Sequence, residues 1–267
     1  MQSGIEAAVF DLDGTLYPNY RLYVRLVPFI LKELPLLRAF GRARTIIRAG
    51  QDARSGAGSA PLSDRGPPRK GVANLRFTAQ SAGLSRLPPS PELFPDFYDY
   101  QAAIIADILG APPALVKEKT ERLIYRGWEP HFKKIRLFPH VKETLAALRQ
   151  AGFRLGMLSD FPPETKLAYL GIGDCWDVAL CSERLGALKP DRRPFDELAA
   201  ALGIPPERVL YVGNSSRYDV EGAARAGMKT ALLTGLLSET GAGSGGRTVS
   251  PDFIFHDYRQ LRDYMIH

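Results

Sequence analysis

The chain has 267 residues, 45% hydrophobic and 24% charged, proportions that exclude a disordered chain or one embedded in a bilayer. Its formal net charge of +6 favours anionic partners, phosphorylated metabolites, nucleic acid and acidic lipid surfaces alike. The two cysteines, Cys175 and Cys181, exclude a disulfide scaffold, and no histidine lies near them to complete a zinc site; they read as free thiols of a reducing, cytoplasmic compartment.

Residues 1–6 carry no basic region ahead of a long apolar stretch, so no secretion signal is expected. Short apolar runs then recur at 7–10, 153–158, 178–181, 209–212 and 230–233, each followed by a helical pattern. Between them, residues 141–151 put Val141, Leu145 and Leu148 on one face ahead of Gly152, and residues 194–202 start at Pro194 and stop at Gly203. Apolar strands alternating with amphipathic helices predict an α/β fold, a doubly wound parallel sheet covered on both faces. Such a sheet holds its ligand beyond the carboxyl ends of its strands.

Residues 18–137 break that rhythm. They show helical candidates at 20–40, 95–109 and 113–126 without buried strands between them, and so read as a mainly helical domain inserted into a core formed by 1–17 and 138–267. Pro28 predicts a kink or break in the first of these helices. Its charges, with Pro28 and Pro35, exclude a membrane-spanning helix; an interfacial helix is the alternative to one packed within the inserted domain. Residues 50–68 and 239–250, rich in Gly, Ser and similar small residues, read as loops. A closing strand at 252–255 and a helix reaching Met265 complete the core. The basic residues are scattered and no aromatic stacking motif accompanies them, so neither nucleic acid nor a membrane is expected as partner.

The chemistry falls where the sheet predicts it. Asp11 and Asp13 follow the first run directly, and Gly14 permits the strand to give way to a turn. Two carboxylates so placed can share a pocket, one attacking an electrophile and the other shuttling a proton, with a divalent cation between them relieving their repulsion. Taken singly, each element has a plainer reading: Asp-x-Asp as a solvated turn, Ser159 after its strand as a helix cap, and Lys189-Pro190 as a surface turn. Their joint placement at strand ends favours a site.

The run Phe10-Asp11-Leu12-Asp13-Gly14-Thr15-Leu16 resembles the first signature of the haloacid dehalogenase superfamily, most of whose members are phosphatases. The other signatures follow in order, and the helical insertion stands where members of the first cap class carry their cap. The resemblance implies a magnesium-dependent phosphohydrolase for a small phosphorylated metabolite, monomeric or homodimeric, with a Rossmann-like core. It implies Asp11 as nucleophile, forming an aspartyl phosphate, and Asp13 as acid and base. Thr15, Ser159, Asp160 and Lys189 would surround the phosphoryl group, and Mg2+ would be held by Asp11, the Asp13 carbonyl and a group from Asn214 or Asp219. Two positions depart from the pattern. Asp160 stands where many relatives have asparagine, and Asn214 replaces the usual first aspartate of the acidic signature, which predicts a weaker magnesium site.

Other readings stay open at this level. A phosphomutase would use the same residues. A dehalogenase matches the Asn214-Ser215-Ser216 run, but dehalogenases lack the second aspartate that Asp13 supplies. A non-catalytic binding protein on a degenerate fold is the reading that Asn214 and Asp160 motivate. His131 and His140 flank the expected return from insertion to core and read as hinge or surface residues, not catalytic ones. Tyr125, Trp128 and Phe132 are expected to pack inside the insertion or to face the organic part of a substrate.

Overall fold

The computed structural model describes residues 4–56, 90–235 and 249–267. Six parallel strands form one sheet in the order β3-β2-β1-β4-β5-β6. They are β1 (Ala7–Phe10), β2 (Arg154–Ser159), β3 (Val178–Cys181), β4 (Val209–Gly213), β5 (Lys229–Leu233) and β6 (Phe253–Phe255), so each apolar run of the sequence became a strand to within a residue or two. Alternation along the strands feeds two cores. Ala8, Phe10, Leu155, Met157, Leu210 and Val212 face one side. Ala7, Val9, Leu158, Val209 and Tyr211 face the other.

Helices close both faces. On the first side lie α6 (Val141–Gln150), through Val141, Leu145 and Leu148, and α10 (Tyr258–Ile266), through Leu261 and Met265. On the second lies α8 (Arg193–Leu202), through Phe195, Leu198 and Leu202. Gly156 permits that approach: a Cβ there would lie 2.9 Å from Val9 Cγ2 and 3.3 Å from Leu202 Cδ1. This is the doubly wound arrangement expected from the alternation of apolar runs and helices, with α7 (Glu164–Leu170) and α9 (Glu221–Arg225) as further crossover helices.

Between β1 and β2 the described elements are helical: α1 (Asn19–Lys32), α2 (Leu34–Gly56), α3 (Phe97–Leu109), α4 (Pro113–Thr120) running into a π-helical turn at Glu121–Tyr125, and α5 (Glu129–Phe132). The chain enters and leaves this stretch at one place, where the Phe138 N–H donates to the Leu16 carbonyl at 2.9 Å. Helices α2, α3 and α4 share their own apolar cluster, built from residues such as Phe40, Ile47, Ile105 and Val116. Helix α1 behaves differently, because its buried Leu22 and Leu26 join the sheet-face core beside Tyr17 and Phe132.

The helix break expected at Pro28 falls elsewhere. Helix α1 runs through residue 28, and the chain breaks at Glu33, so that Pro35 occupies the first turn of α2, where a missing N–H leaves no hydrogen bond unmade. Residues 50–56 continue α2 instead of starting a loop. The remainder of that expected loop, and residues 239–248 of the second, lie outside the described residues. Among the described residues no helix is long and apolar enough to cross a membrane.

Candidate active site

The carboxyl ends of β1, β2 and β4 converge, and the polar side chains collect there. The Asp11 N–H still donates to the Val212 carbonyl at 2.9 Å, which fixes Asp11 as the last residue held by the ladder. The chain then turns at Gly14, whose φ of +90° suits glycine. A Cβ at Gly14 would lie 2.6 Å from Asn214 Nδ2 and 2.7 Å from Asn19 Nδ2, so the β1 turn and the loop after β4 touch only because residue 14 has no side chain.

Asp11 and Lys189 are both buried, and the Lys189 ammonium spends its three protons on three oxygens. It donates to Asp11 Oδ1 at 2.7 Å, Asp219 Oδ1 at 2.6 Å and the Tyr211 hydroxyl at 3.1 Å. Asp219 is held in turn by the Asn214 and Ser215 N–H groups, which donate to its Oδ2 at 3.1 and 3.0 Å. Gly213 makes room for it, since a Cβ there would meet Asp219 Cβ at 2.3 Å. Burial pushes the Asp11 carboxyl up to about 7 against the pull of Lys189, and the Asp219 and Asp13 carboxylates add to the rise. With Lys166 paired to Asp13, Lys189 is left between two carboxylates, Asp11 and Asp219, and this pair is short of positive charge.

Thr15 and Asn214 complete the Asp11 side. The Thr15 hydroxyl lies 2.7 Å from Asp11 Oδ2 and 3.1 Å from Asn214 Oδ1. A hydroxyl has one hydrogen, so two lone-pair oxygens compete for it, and a carboxylate and an amide oxygen gather at one spot. These are hard oxygen donors of the kind magnesium takes. Among the described residues no three His, Cys, Asp or Glu side chains are grouped to hold a metal. A cation here would therefore draw on the Asn214 amide and on main-chain oxygen as well as on Asp11, and the residues fit it on those terms.

Asp13 points the other way, into a cavity of about 470 Å³ between the helical stretch and the sheet. Its carboxylate accepts two bonds from Lys166 Nζ, at 2.7 and 2.6 Å, another from the Tyr17 hydroxyl, and a long one from Ser159 Oγ at 3.4 Å. Ser159 Oγ also accepts from the Phe161 N–H at 3.2 Å, closing a turn after β2; it caps no helix, since α7 starts only at Glu164, after Pro163.

Asp160 is engaged on both oxygens. Oδ1 accepts from the Lys189 N–H at 3.1 Å, and Oδ2 accepts from Arg48 at 2.8 Å and Arg44 at 3.0 Å. Arg48 Nε donates to the Lys189 carbonyl at 2.8 Å. The main chain of Lys189 is thus gripped on both sides, by Asp160 and by an arginine of α2. Arg44 reaches on to the buried Glu183, which also accepts from the Tyr125 hydroxyl at 3.1 Å. Burial alone would raise the Asp160 carboxyl, but Arg44, Arg48 and Lys189 hold it below the usual carboxylate range.

Of the residues expected from sequence, Asp11, Thr15, Lys189, Asn214 and Asp219 form one connected network. Asp13 and Ser159 form a second beside it, and Asp160 supports Lys189 from the side of α2. Lys166, Arg44, Arg48 and Tyr211 were not foreseen. Lys166 had a signal: Pro162-Pro163-Glu164 is a helix start, and it puts residue 166 in the first turn beyond β2. The two arginines, four residues apart on α2, had no signal without their partner.

The family model described as haloacid dehalogenase-like hydrolase matches residues 5–227. Residues of this chain are 32% identical, over 137 positions, to a glyceraldehyde 3-phosphate phosphatase of Methanothermobacter thermautotrophicus, and 33% identical, over 149, to a phosphoglycolate phosphatase of Haemophilus influenzae. These alignments take in 50% and 55% of this chain and span 61% and 65% of those relatives. Among solved structures, a HAD phosphatase from Thermococcus onnurineus aligns over 98% of both chains with a TM-score of 0.56 and 20% identity. An L-2-haloacid dehalogenase from Xanthobacter autotrophicus with chloropropionic acid covalently bound does so with 0.56 and 18%.

Asp160→Asn keeps an acceptor for the Lys189 N–H but leaves the half-buried Arg48 without its charge partner and the buried Arg44 with Glu183 alone. The protein is expected to lose about 3 kcal/mol of stability, read from urea unfolding. A change within about 0.5 kcal/mol would show the pair to be worth no more than an exposed one.

Proposed function

Because the chain belongs to the haloacid dehalogenase-like hydrolase family, we propose that it is a magnesium-dependent phosphohydrolase acting on a small phosphorylated metabolite. The observation that carries this reading is the pair of neighbouring carboxylates with opposite surroundings. Asp11 is buried against Lys189 and Thr15, whereas Asp13 opens onto the cavity. The names of the phosphatases among its relatives support the same reading. So does Asp13 itself, the aspartate that by family resemblance the dehalogenases lack. Residues 18–137 serve as a cap over the site, with 1–17 and 138–267 as the catalytic core.

In this mechanism a carboxylate oxygen of Asp11 attacks phosphorus, the bond from phosphorus to the ester oxygen breaks, and an aspartyl phosphate forms. Asp13 gives its proton to the departing oxygen. It then takes one from the water that attacks the phosphoryl group, and phosphate leaves with Asp11 restored. Lys189 balances charge on Asp11 and on the phosphoryl oxygens, with Thr15 and Ser159 donating hydroxyls beside it. Asp11, the Asp13 carbonyl and Asn214 would hold Mg2+, which when bound would supply further positive charge at this place. Asn214 is assigned the direct role because its oxygen shares the Thr15 hydroxyl with Asp11. Asp219, whose oxygens are taken by Lys189 and two main-chain N–H groups, holds the lysine.

Phosphate release from p-nitrophenyl phosphate with magnesium tests the reading, and Asp11→Asn should lower it about a thousandfold or more. Equal, negligible release by wild type and variant across a broad panel of metabolites would instead favour a non-catalytic binding protein.

A second expectation concerns pH. Attack needs ionised Asp11, so at limiting magnesium the rate should fall as pH drops through about 7. Saturating magnesium favours the charged carboxylate and should carry that limb to lower pH; a limb unmoved by magnesium would separate the cation from Asp11.

Asn214→Asp restores a charge to the proposed cation site. The magnesium concentration for half-maximal activity should drop about tenfold, and an unchanged requirement would remove Asn214 from the ligand set.

A further inference from the structure

We infer that helix α1 docks this protein onto an anionic lipid surface. The helix carries three strips of different chemistry. Leu22 and Leu26 are buried and join the core on the sheet face. Opposite them, Tyr20, Val24, Val27 and Leu31 recur at the spacing of one helix face, within about 60° of one another around the axis, and all four are exposed. Val24 is 67% and Leu31 72% exposed, so folding leaves these aliphatic groups in water. Among the described residues no other element carries more than one large exposed apolar side chain. A lone exposed leucine is ordinary, whereas a contiguous strip marks a surface that meets something.

The third strip is basic. Arg21, Arg25 and Lys32 lie along one side of the apolar strip, and α1 contains no acidic residue. Lys133, Lys134 and Arg136, which follow α5, join Arg21 and Arg25 around an open cleft of about 740 Å³ that Val24 also lines. Among the described residues none of these six cations pairs with a carboxylate. Glu33, next in the chain, pairs instead with Lys119 at 2.8 Å. Arg25 Nη1 donates to the Arg21 carbonyl at 3.1 Å, and the Lys133 ammonium lies 5.4 Å from the Tyr169 ring centre; both contacts leave the charge uncompensated. Exposed cations elsewhere do have acids, as Arg192 has Asp196 and Arg225 has Glu221. The basic residues look scattered along the sequence and become one patch only in the fold, which is why no membrane partner was expected from sequence.

The combination selects the occupant. Aliphatic side chains beside arginine and lysine, with a tyrosine at one end, suit a helix lying in the plane of a headgroup layer. The apolar strip enters the acyl boundary, and the cations meet lipid phosphates. A second copy of the chain answers the patch poorly, because two-fold pairing sets the same face against itself and brings cations to cations with no acid between them. Nucleic acid would use the cations but has no place for Val24, Val27 and Leu31. Leu22 and Leu26 already hold the helix in place, so docking needs no ordering of this segment.

Sedimentation of the whole protein with vesicles tests the inference. Binding to equal parts phosphatidylglycerol and phosphatidylcholine should be about tenfold or more tighter than to phosphatidylcholine alone, and should weaken severalfold between about 50 and about 300 mM salt. Leu31→Trp should shift its fluorescence to the blue on the anionic vesicles, whereas Leu115→Trp, exposed on α4, should not. Val24→Ser with Leu31→Ser should lower binding about tenfold, and Arg25→Gln with Lys134→Gln should do the same. All four positions are exposed, so the thermal unfolding midpoint should not move in either double variant. Absence of binding to anionic vesicles, equal binding to neutral ones, or wild-type binding by both double variants would overturn the inference. So would a lipid-free dimer, seen by ultracentrifugation, that Val24→Ser with Leu31→Ser dissolves, since the face would then belong to a second copy. The phosphohydrolase reading stands or falls separately, because none of these residues is placed at the phosphoryl group.

Discussion

A single buried ammonium organises this protein's polar centre. Lys189 lies between Asp11 and Asp219 at 2.7 and 2.6 Å, and all three groups are shielded from water. A charge buried in this way is tolerated only when it is paired and fully hydrogen-bonded, and each surrounding element contributes to that condition. Strand β1 delivers Asp11, strand β4 delivers Tyr211, and the loop after β4 turns two N–H groups onto Asp219. Gly213 leaves the space that the Asp219 carboxylate fills.

The helical stretch takes part in holding this lysine. Asp160 accepts from its N–H and Arg48 donates to its carbonyl, while Arg44 and Arg48 both pair with Asp160. This gives a physical account of the aspartate at position 160. Its negative charge is matched by two arginines of α2 and is not left facing a phosphate. A neutral amide would keep the hydrogen bond to Lys189 but would leave the arginines short of an anion. Glu183, reached by Arg44 and Tyr125, extends the contact between helices and sheet. The chain therefore anchors its helices on the sheet's carboxyl edge with buried charge as well as apolar packing.

The other departure, Asn214, lies on the opposite side of Asp11. Its amide oxygen is turned to the hydroxyl that Asp11 also uses, so it is placed as a ligand would be, without a ligand's charge. Burial raises Asp11 in these surroundings, which is the response of a carboxyl whose neighbours supply too little positive charge. Asp13 differs because Lys166, from the first turn of α7, bonds both of its oxygens. The two carboxylates of one short run thereby acquire separate partners, and separate partners are what lets like residues take unlike roles.

Much of the architecture was legible from one-dimensional patterns. Buried parallel strands must be apolar on both faces, and crossover helices must be amphipathic, so the runs at 7–10, 178–181 and 209–212 and the stripe Val141, Leu145, Leu148 announced the doubly wound sheet. Asp11 and Ser159 were legible because strand ends mark where such a sheet opens, whereas Lys189 and Asp219 were legible through the resemblance of their runs to the family's later signatures. Other features depended on residues far apart in the chain. Whether Pro28 or Pro35 would break the first helical segment turned on how α1 and α2 pack. Arg44 and Arg48 acquire meaning only against Asp160, more than a hundred positions away. Lys166 becomes part of the site because α7 delivers it to Asp13, 153 residues distant. Local propensity and periodicity are properties of neighbours in sequence. The pairing of buried charges and the shape of a cavity belong to neighbours in space, and only the folded chain decides them.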